Sequence, residues 1–436
     1  MYNETLINQI RERFCHVDTC PYQGSRVYFE NAGGSLTLKS VVEVNTRLAG
    51  IPDNQGRDNP ASHELVRIID QSREDMRTFL GVSEGPVFIG ESGTELLFRL
   101  VCAAVLGTPA GGNVVGSTLE HPATVSASKR WCKIAGKQYR AVVHDNDSAT
   151  VTAQDYRAVV DGDTRVATII HTSPVTGISV DVKAVVKVIR EVSPECVIIV
   201  DGIQHAPHGD LHVDDYDIDA YAISAYKVFS RHNYGFAWVS PRLSTLPHDH
   251  LDATPDDFWE LGTRDTSEFA CFSEVVNYLD WLGSQFTDSE SRRQRILAAG
   301  RSIHDQEVGL VDIMINGADG QKGLCDMPEV TVIGGHDNSQ REGLVSLYIE
   351  AIPCADVVRQ LNQQGVRTHV RKNDYFSGNI LEPLNRPSCV RVSMCHYNTS
   401  TEVIQFLQAL ESIITLVANK NRSRGSGYRT RYRNTG

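Results

Sequence analysis

AISAYKVFSRHNYGFAWV, residues 222–239, puts Lys227 just after a short apolar run, Ala220–Ala225, that reads as a strand. A second run, Tyr234–Val239, follows it. Upstream, CVIIVDGIQHAPHG (196–209) opens with the continuous apolar pattern of a buried strand and reaches Asp201. The order strand, acid, strand, lysine suggests a site where an amine binds a carbonyl and a carboxylate holds a cationic ring. Taken alone, a lysine at a strand end is more often a solvated charge. The rest of the chain has to support the chemical reading.

The flanking sequence alternates. PVFIG (86–90), NVVGS (113–117), RVATIIHTS (165–173) and CVIIVD (196–201) read as strands. Between them GTELLFRLVCAAVLG (93–107), HPATVSASKRWCKIAG (121–136) and DVKAVVKVIREVSP (181–194) read as helices. This alternation predicts an α/β fold, a mainly parallel sheet covered on both faces. Ligands of such sheets bind at the carboxyl ends of the strands, and Glu91–Thr94, His121, Ser173 and Asp201 fall at or soon after those ends. Gly93-Thr94 opens a helix, where free backbone N–H groups suit a phosphate. A threonine helix cap explains the pair equally well. Before the alternation, RVYFENAGGS (26–35) reads as a short strand entering a glycine turn. After about residue 265 long helices come first. Strand runs around EVTVIGG, GLVSLYI, GVRTHVR and CVRVSM follow, as in a smaller α+β domain. The expected division is an N-terminal segment 1–30, a large domain 31–265, a helical connection with a small domain 266–418, and a tail 419–436.

The 436 residues suffice for two domains with sizeable cores, and 41% hydrophobic with 22% charged residues is ordinary for a soluble globular chain. The N-terminus, MYNETLINQIRERF, reads as an amphipathic helix without the features of a signal peptide, and no apolar run is long enough to predict a spanning helix. A cytoplasmic location and no membrane partner are therefore expected. The net charge of −12 argues against nucleic acid. Only the tail NKNRSRGSGYRTRYRNTG (419–436) is basic, and its composition predicts disorder. The ten cysteines form no CxxC and read as small buried hydrophobes. His248 and His250 flank Asp249 without a companion cluster, so no metal is expected. Neither a P-loop nor a GxGxxG fingerprint is present.

Gly93-Thr94, His121, Asp201, Gln204 and Lys227, in this order and spacing, resemble the pyridoxal-phosphate enzymes of aminotransferase class V, in their cysteine desulfurase-like branch. YFENAGGS near the start and VRVSMCHYNTSTEVIQFLQAL near the end extend the resemblance over nearly the whole chain. It implies fold type I, with a mainly parallel seven-stranded type of sheet, pyridoxal 5′-phosphate as cofactor, and a homodimer with shared active sites. It also implies roles. Lys227 would form the Schiff base with the cofactor aldehyde and move the substrate's Cα proton. Asp201 would pair with the ring nitrogen, Gln204 would bond the phenolic oxygen, and His121 would stack on the ring. Thr94, Ser224 and the Tyr226 hydroxyl would bind phosphate, with Gly262 and Thr263 reaching the partner's phosphate. Arg391 would grip the substrate carboxylate. Asn31 approaches substrate in relatives, or is a turn asparagine. Tyr375, Arg231 and His232 are further candidates near substrate, the last two reading equally as turn residues.

Three departures narrow the function. Desulfurases of this family carry a nucleophilic cysteine on the loop before the VRxS strand. Here that loop, RKNDYFSGNILEPLNRPS (371–388), has none, and Cys389 and Cys395 lie on the strand itself. Tyr226 stands where desulfurases usually have histidine. Pro174, in HTSPVTG, stands where many have asparagine, which is closer to epimerase-like members. The expectation is a pyridoxal-phosphate enzyme acting on an amino acid, first of all a β-eliminating C–S lyase on cysteine or a cysteine S-conjugate. Decarboxylation with deamination, epimerisation and transamination remain open. A non-catalytic binding protein is the rival, against which Lys227 and Asp201 argue.

Overall fold

A computed structural model describes residues 1–429. Three helices, α1 (Glu4–Arg11), α2 (Lys39–Ala49) and α3 (Pro60–Leu80), precede the alternating region. The strands β1 (Val87–Gly90), β2 (Asn113–Ser117), β3 (Gln138–Val142), β4 (Thr164–Ile170), β5 (Val197–Asp201), β6 (Ala220–Ser224) and β7 (Gly235–Val239) form one seven-stranded sheet. Its order is β1-β7-β6-β5-β4-β2-β3. β7 runs antiparallel to both neighbours, and every other pairing is parallel. Helices α4 (Gly93–Gly107), α5 (Pro122–Ala135) and α6 (Val182–Val192) connect the parallel strands. Because both faces are covered, β2, β5, β6 and β7 are buried at every residue, which is why their sequences are unbroken apolar runs.

β3 departs from that pattern and was not foreseen. Its sequence, QYRAV, carries an arginine and a glutamine and is largely exposed, because it lies at the sheet edge. An edge strand has solvent beside it and needs no continuous apolar run.

Two long helices, α7 (Thr266–Gly283) and α8 (Arg292–Asn316), lead to a second sheet. It comprises β8 (Val330–Val332), β9 (Leu344–Ile349), β10 (His369–Lys372) and β11 (Ser388–Ser393), in the antiparallel order β8-β9-β11-β10. Helices α9 (Cys354–Gln363) and α10 (Ser400–Arg429) cover it, and Leu361, Phe406, Leu407, Val390 and Val392 share its core. The N-terminal segment belongs to this layer too. Val27–Tyr28 pairs in parallel with Val366–Arg367, and Phe29 is buried against Phe406. By length and composition the Ser400–Asn419 part of α10 could cross a membrane, but Val403, Phe406, Leu407, Leu410 and Ile413 are fully buried against the sheet, as in a core helix. The helix also continues to Arg429, into the tail expected to be disordered. A helix already nucleated propagates at little cost through residues such as lysine and arginine. The rest of that tail, 430–436, lies outside the described residues.

Between β6 and β7 the chain makes a single 3-10 turn, Ala225–Lys227. It continues through Phe229 and Asn233 at φ +59° and +73°, a region that costs a non-glycine residue energy. The Ser35 hydroxyl accepts from the Phe229 N–H at 2.8 Å, and the Tyr226 carbonyl accepts from Ser35 N–H at 3.2 Å. The glycine turn near the N-terminus thus braces the strained turn that presents Lys227.

Candidate active site

The carboxyl ends of β1, β2, β5 and β6 border a cleft of about 480 Å³. Gly93, Thr94, His121, Asp201, Gln204, Ser224, Tyr226 and Lys227 all line it, although they come from four separate stretches of sequence. Lys227 is only 8% exposed, and its Nζ donates to Gln204 Oε1 at 2.9 Å. Burial drives its amine from an ordinary 10.5 to about 7; Arg391 pushes it further down and Asp201 opposes both. A sizeable fraction of this amine is therefore unprotonated near neutrality. Asp201 ends β5 and is also buried. Burial lifts its carboxyl from 3.8 to about 6, against the Ile203 N–H, 3.1 Å from Oδ1, and the charge of Lys227. It remains ionised at pH 7 and can hold a cation.

His121 caps α5, its Nδ1 accepting from the Ala123 N–H at 3.2 Å. Burial, with Lys227 and Arg371 adding, lowers its imidazole to about 4, so a neutral ring faces the cleft. The residue before it, Glu120, was not foreseen. It looked like an ordinary acid ahead of a helix, yet it is fully buried beside Asp201. Burial and then that neighbouring charge raise it to about 8. It is held by the Ile170 N–H at 2.9 Å and the Ser117 hydroxyl at 3.2 Å, both on Oε1.

The start of α4 makes an anion cradle. Ser92 caps the helix, accepting from Glu95 N–H at 3.2 Å, which leaves the first-turn N–H groups at the cleft. A Cβ at Gly93 would lie 2.3 Å from Ile203 Cδ1 and 2.4 Å from Ser224 Oγ, so only glycine keeps this corner open. Amine, carboxylate, neutral ring and anion cradle together match the aldehyde, ring nitrogen, ring face and phosphate of pyridoxal phosphate.

Arg391, on β11, is buried. Its Nη1 donates to the Pro174 carbonyl at 2.9 Å and its Nε has no partner among the described residues. Arg371, the last residue of the strand run GVRTHVR and the first of the loop 371–388, lies on β10. The pairing of His369 with Arg391 puts Arg371 on the same face of the sheet as Arg391, since alternate residues share a face. Neither arginine makes an ion pair among the described residues. Arg371 instead donates to Ser377 Oγ at 2.7 Å and to the Phe376 carbonyl at 3.2 Å.

Five sequence candidates lie otherwise. Tyr375 is 78% exposed and outside the cleft, while the neighbouring Phe376 ring lies 6.3 Å from His121. Asn31 is committed to the turn: its Nδ2 donates to the Ser393 carbonyl at 2.8 Å and its Oδ1 accepts from Tyr397 at 2.5 Å. Arg231 is held by Ser267 at 3.0 Å and Asp265 at 3.3 Å. Gly262 and Thr263 sit in an exposed loop away from this chain's own cleft. His232 does come close, stacked on the Tyr226 ring at 4.4 Å.

The aminotransferase class V family matches residues 27–301 and 318–406. The chain is 26% identical over 413 residues to the cysteine desulfurase-like protein ustD of Aspergillus flavus, covering 90% of this chain and 88% of that one. It is 25% identical to the aminotransferase-like protein FGM3 of Gibberella zeae, over 89% of this chain and 95% of the other. The cysteine desulfurase CsdA of Escherichia coli superposes with a TM-score of 0.76 at 18% identity, over 95% of this chain and 99% of that one. The fold is therefore fold type I. The chain belongs to the aminotransferase class V family, in its cysteine desulfurase-like part, and is an enzyme dependent on pyridoxal 5′-phosphate.

Proposed function

We propose that the chain is a C–S lyase that removes the sulfur substituent from cysteine or a cysteine S-conjugate by β-elimination. The observation behind this reading is the loop 371–388. It has no cysteine, and it folds down as a short helix, Gly378–Leu381, with Asn379 donating to the Thr118 carbonyl at 2.6 Å. The nearby thiols are unsuited to sulfur transfer: burial pushes Cys389 up to about 12, and Cys395 is also fully buried and raised. Persulfide formation needs an accessible thiolate. Elimination needs none.

When bound, pyridoxal phosphate supplies an electron-accepting ring joined to an amine-reactive aldehyde. Lys227 is the amine that holds it, Asp201 its ring-nitrogen partner, Gln204 its phenolic-oxygen partner and His121 its ring cover. Gly93, Thr94, Ser224 and Tyr226 receive the phosphate. Arg391 takes the substrate's α-carboxylate through a planar fork of donors. With its amine free, Lys227 would take the substrate's Cα proton. The Cβ–S electron pair leaves with sulfur, which is protonated to a thiol, and water converts the remaining enamine to keto acid and ammonia.

Arg371 favours a second reading. A second cation without a carboxylate suits an amino acid with an acidic side chain, and such a substrate can lose CO2. One assay separates the two. The holoenzyme is incubated with L-cysteine, S-substituted cysteines and acidic amino acids, and thiol, keto acid, CO2 and solvent deuterium at Cα are measured. Equal amounts of thiol and keto acid are expected. Neither product from any cysteine conjugate would sink the lyase reading, and CO2 from an acidic amino acid would establish the second.

The same reading makes the enzyme a cytoplasmic homodimer, with Thr263 reaching the partner's phosphate. Leu251, Phe258 and Leu261, in the segment leading to that residue, are exposed apolar side chains suited to burial between two copies. Sedimentation is expected to give twice 48.2 kDa. A monomer with a fully occupied cofactor site would overturn the shared-site arrangement.

A further inference from the structure

Behind Lys227 and Gln204 lie two buried polar groups, His208 and Glu307, that the proposed chemistry does not use. Lys227 Nζ contacts Gln204 Oε1 at 2.9 Å, Gln204 Nε2 lies 3.2 Å from His208 Nε2, and His208 Nδ1 lies 2.7 Å from Glu307 Oε2. His208 and Glu307 are 3% and 1% exposed, so solvent does not compete for these contacts. Glu307 comes from α8, and a Cβ on Gly343 would lie 2.8 Å from its Oε2, so the carboxylate is wedged in place.

Each link constrains the next. A neutral His208 that donates from Nδ1 to Glu307 has a bare Nε2, which accepts from the Gln204 NH2. The Gln204 carbonyl then faces Lys227 and favours its protonated form, as in the structure. A protonated His208 donates from both nitrogens, and Nε2–H must meet the Gln204 carbonyl. The amide then turns its NH2 toward the cleft, where it can donate to the lone pair of a neutral amine or to a phenolic oxygen.

We propose that Glu307 and His208 are positioning residues that set which end of the Gln204 amide faces Lys227, and hence which protonation state of that lysine the site favours. The proposal rests on Lys227 being the cofactor's lysine. The groups facing the pair come from every neighbouring element: Glu342 ahead of β9, Lys227 after β6, Cys395 and His396 after β11, and Tyr2 at the N-terminus. Burial disfavours a charged His208, but Glu307 outweighs it and the imidazole sits above its ordinary 6.5. Protonating His208 beside an ionised Glu307 also adds one positive charge near Lys227, which acts in the same direction as the turned amide.

The test is a pH titration of the visible absorbance band of the holoenzyme, as wild type, Glu307→Gln, Gln204→Leu and the double variant. Glu307→Gln removes the anion that favours a charged His208. The band's midpoint is expected to rise by about one pH unit, tenfold in proton affinity. In the Gln204→Leu background the same change is expected to have no effect, because the amide that transmits it is gone. An unmoved midpoint in folded Glu307→Gln, or an equal shift in both backgrounds, overturns the proposal. If Glu307→Gln does not fold, 15N NMR of wild-type holoenzyme decides: His208 Nε2 is expected to gain and lose its proton in step with the band's titration, and ring nitrogens that hold one state across that titration overturn the proposal. A wild type without any visible band would instead defeat the assignment of Lys227.

Discussion

Lys227→Ala is expected to leave a folded protein that shows no lysine-bound pyridoxal phosphate band and has lost at least about 10⁴-fold in turnover, because one amine both holds the cofactor and moves the Cα proton. The amine suits both tasks because burial brings it to about 7. An exposed lysine near 10.5 would be almost wholly protonated at neutral pH and a poor nucleophile. The same burial leaves a mark on stability that can be measured without cofactor. Between pH 7 and 10.5 the unfolded chain keeps a proton that the folded amine has lost. Stability therefore rises with pH across that window through this group, the cost of the buried charge being fully present below pH 7. Lys227→Met keeps the volume and removes the charge. It is expected to abolish that part of the slope and to be more stable than wild-type apoprotein at pH 6. A visible band retained in Lys227→Ala would show that another lysine holds the cofactor. An unchanged pH slope in Lys227→Met would show that the amine is not desolvated in solution.

Much of this was legible in the chain because the large sheet is buried on both faces, so its strands and their carboxyl ends announce themselves as apolar runs ending in polar residues. Asp201, Ser224 and Lys227 could be placed on that basis alone. The edge strand Gln138–Val142 could not, since solvent beside an edge removes the apolar requirement. Nor could Arg371. Its placement depends on the register that pairs His369 with Arg391 across two small-domain strands, and register is a long-range property. The sequence reads Asn31 either as a residue near substrate or as a turn asparagine: its position in the glycine turn is legible, but its partners Ser393 and Tyr397 lie more than 360 residues away. Glu120 and Glu307 look like surface acids in sequence, and only the packing around them makes them buried groups.

Arg391→Leu is expected to keep the cofactor band and lose substrate selectively. The guanidinium is buried, its orientation is set by the Pro174 carbonyl, and its Nε lacks a partner among the described residues. A fork held this way can meet an α-carboxylate with two parallel hydrogen bonds and little further ordering. Removing it leaves a carboxylate in a buried corner without its counter-charge. Breaking one side of such a buried pair costs about 3–5 kcal/mol, so kcat/KM for amino acids is expected to fall roughly 10²- to 10⁴-fold. Arg391→Lys restores charge but not the fork and is expected to recover only part of the loss. The control is the corresponding amine without a carboxylate, whose binding is expected to differ little among the three proteins. The two-arginine face makes the experiment more informative. If Arg391→Leu still selects α-carboxylates while Arg371→Leu does not, the two guanidiniums have exchanged roles. Arg391 would then face the side chain, and the preference for sulfur substituents or acidic groups would have to be read from the β11 side of the cleft.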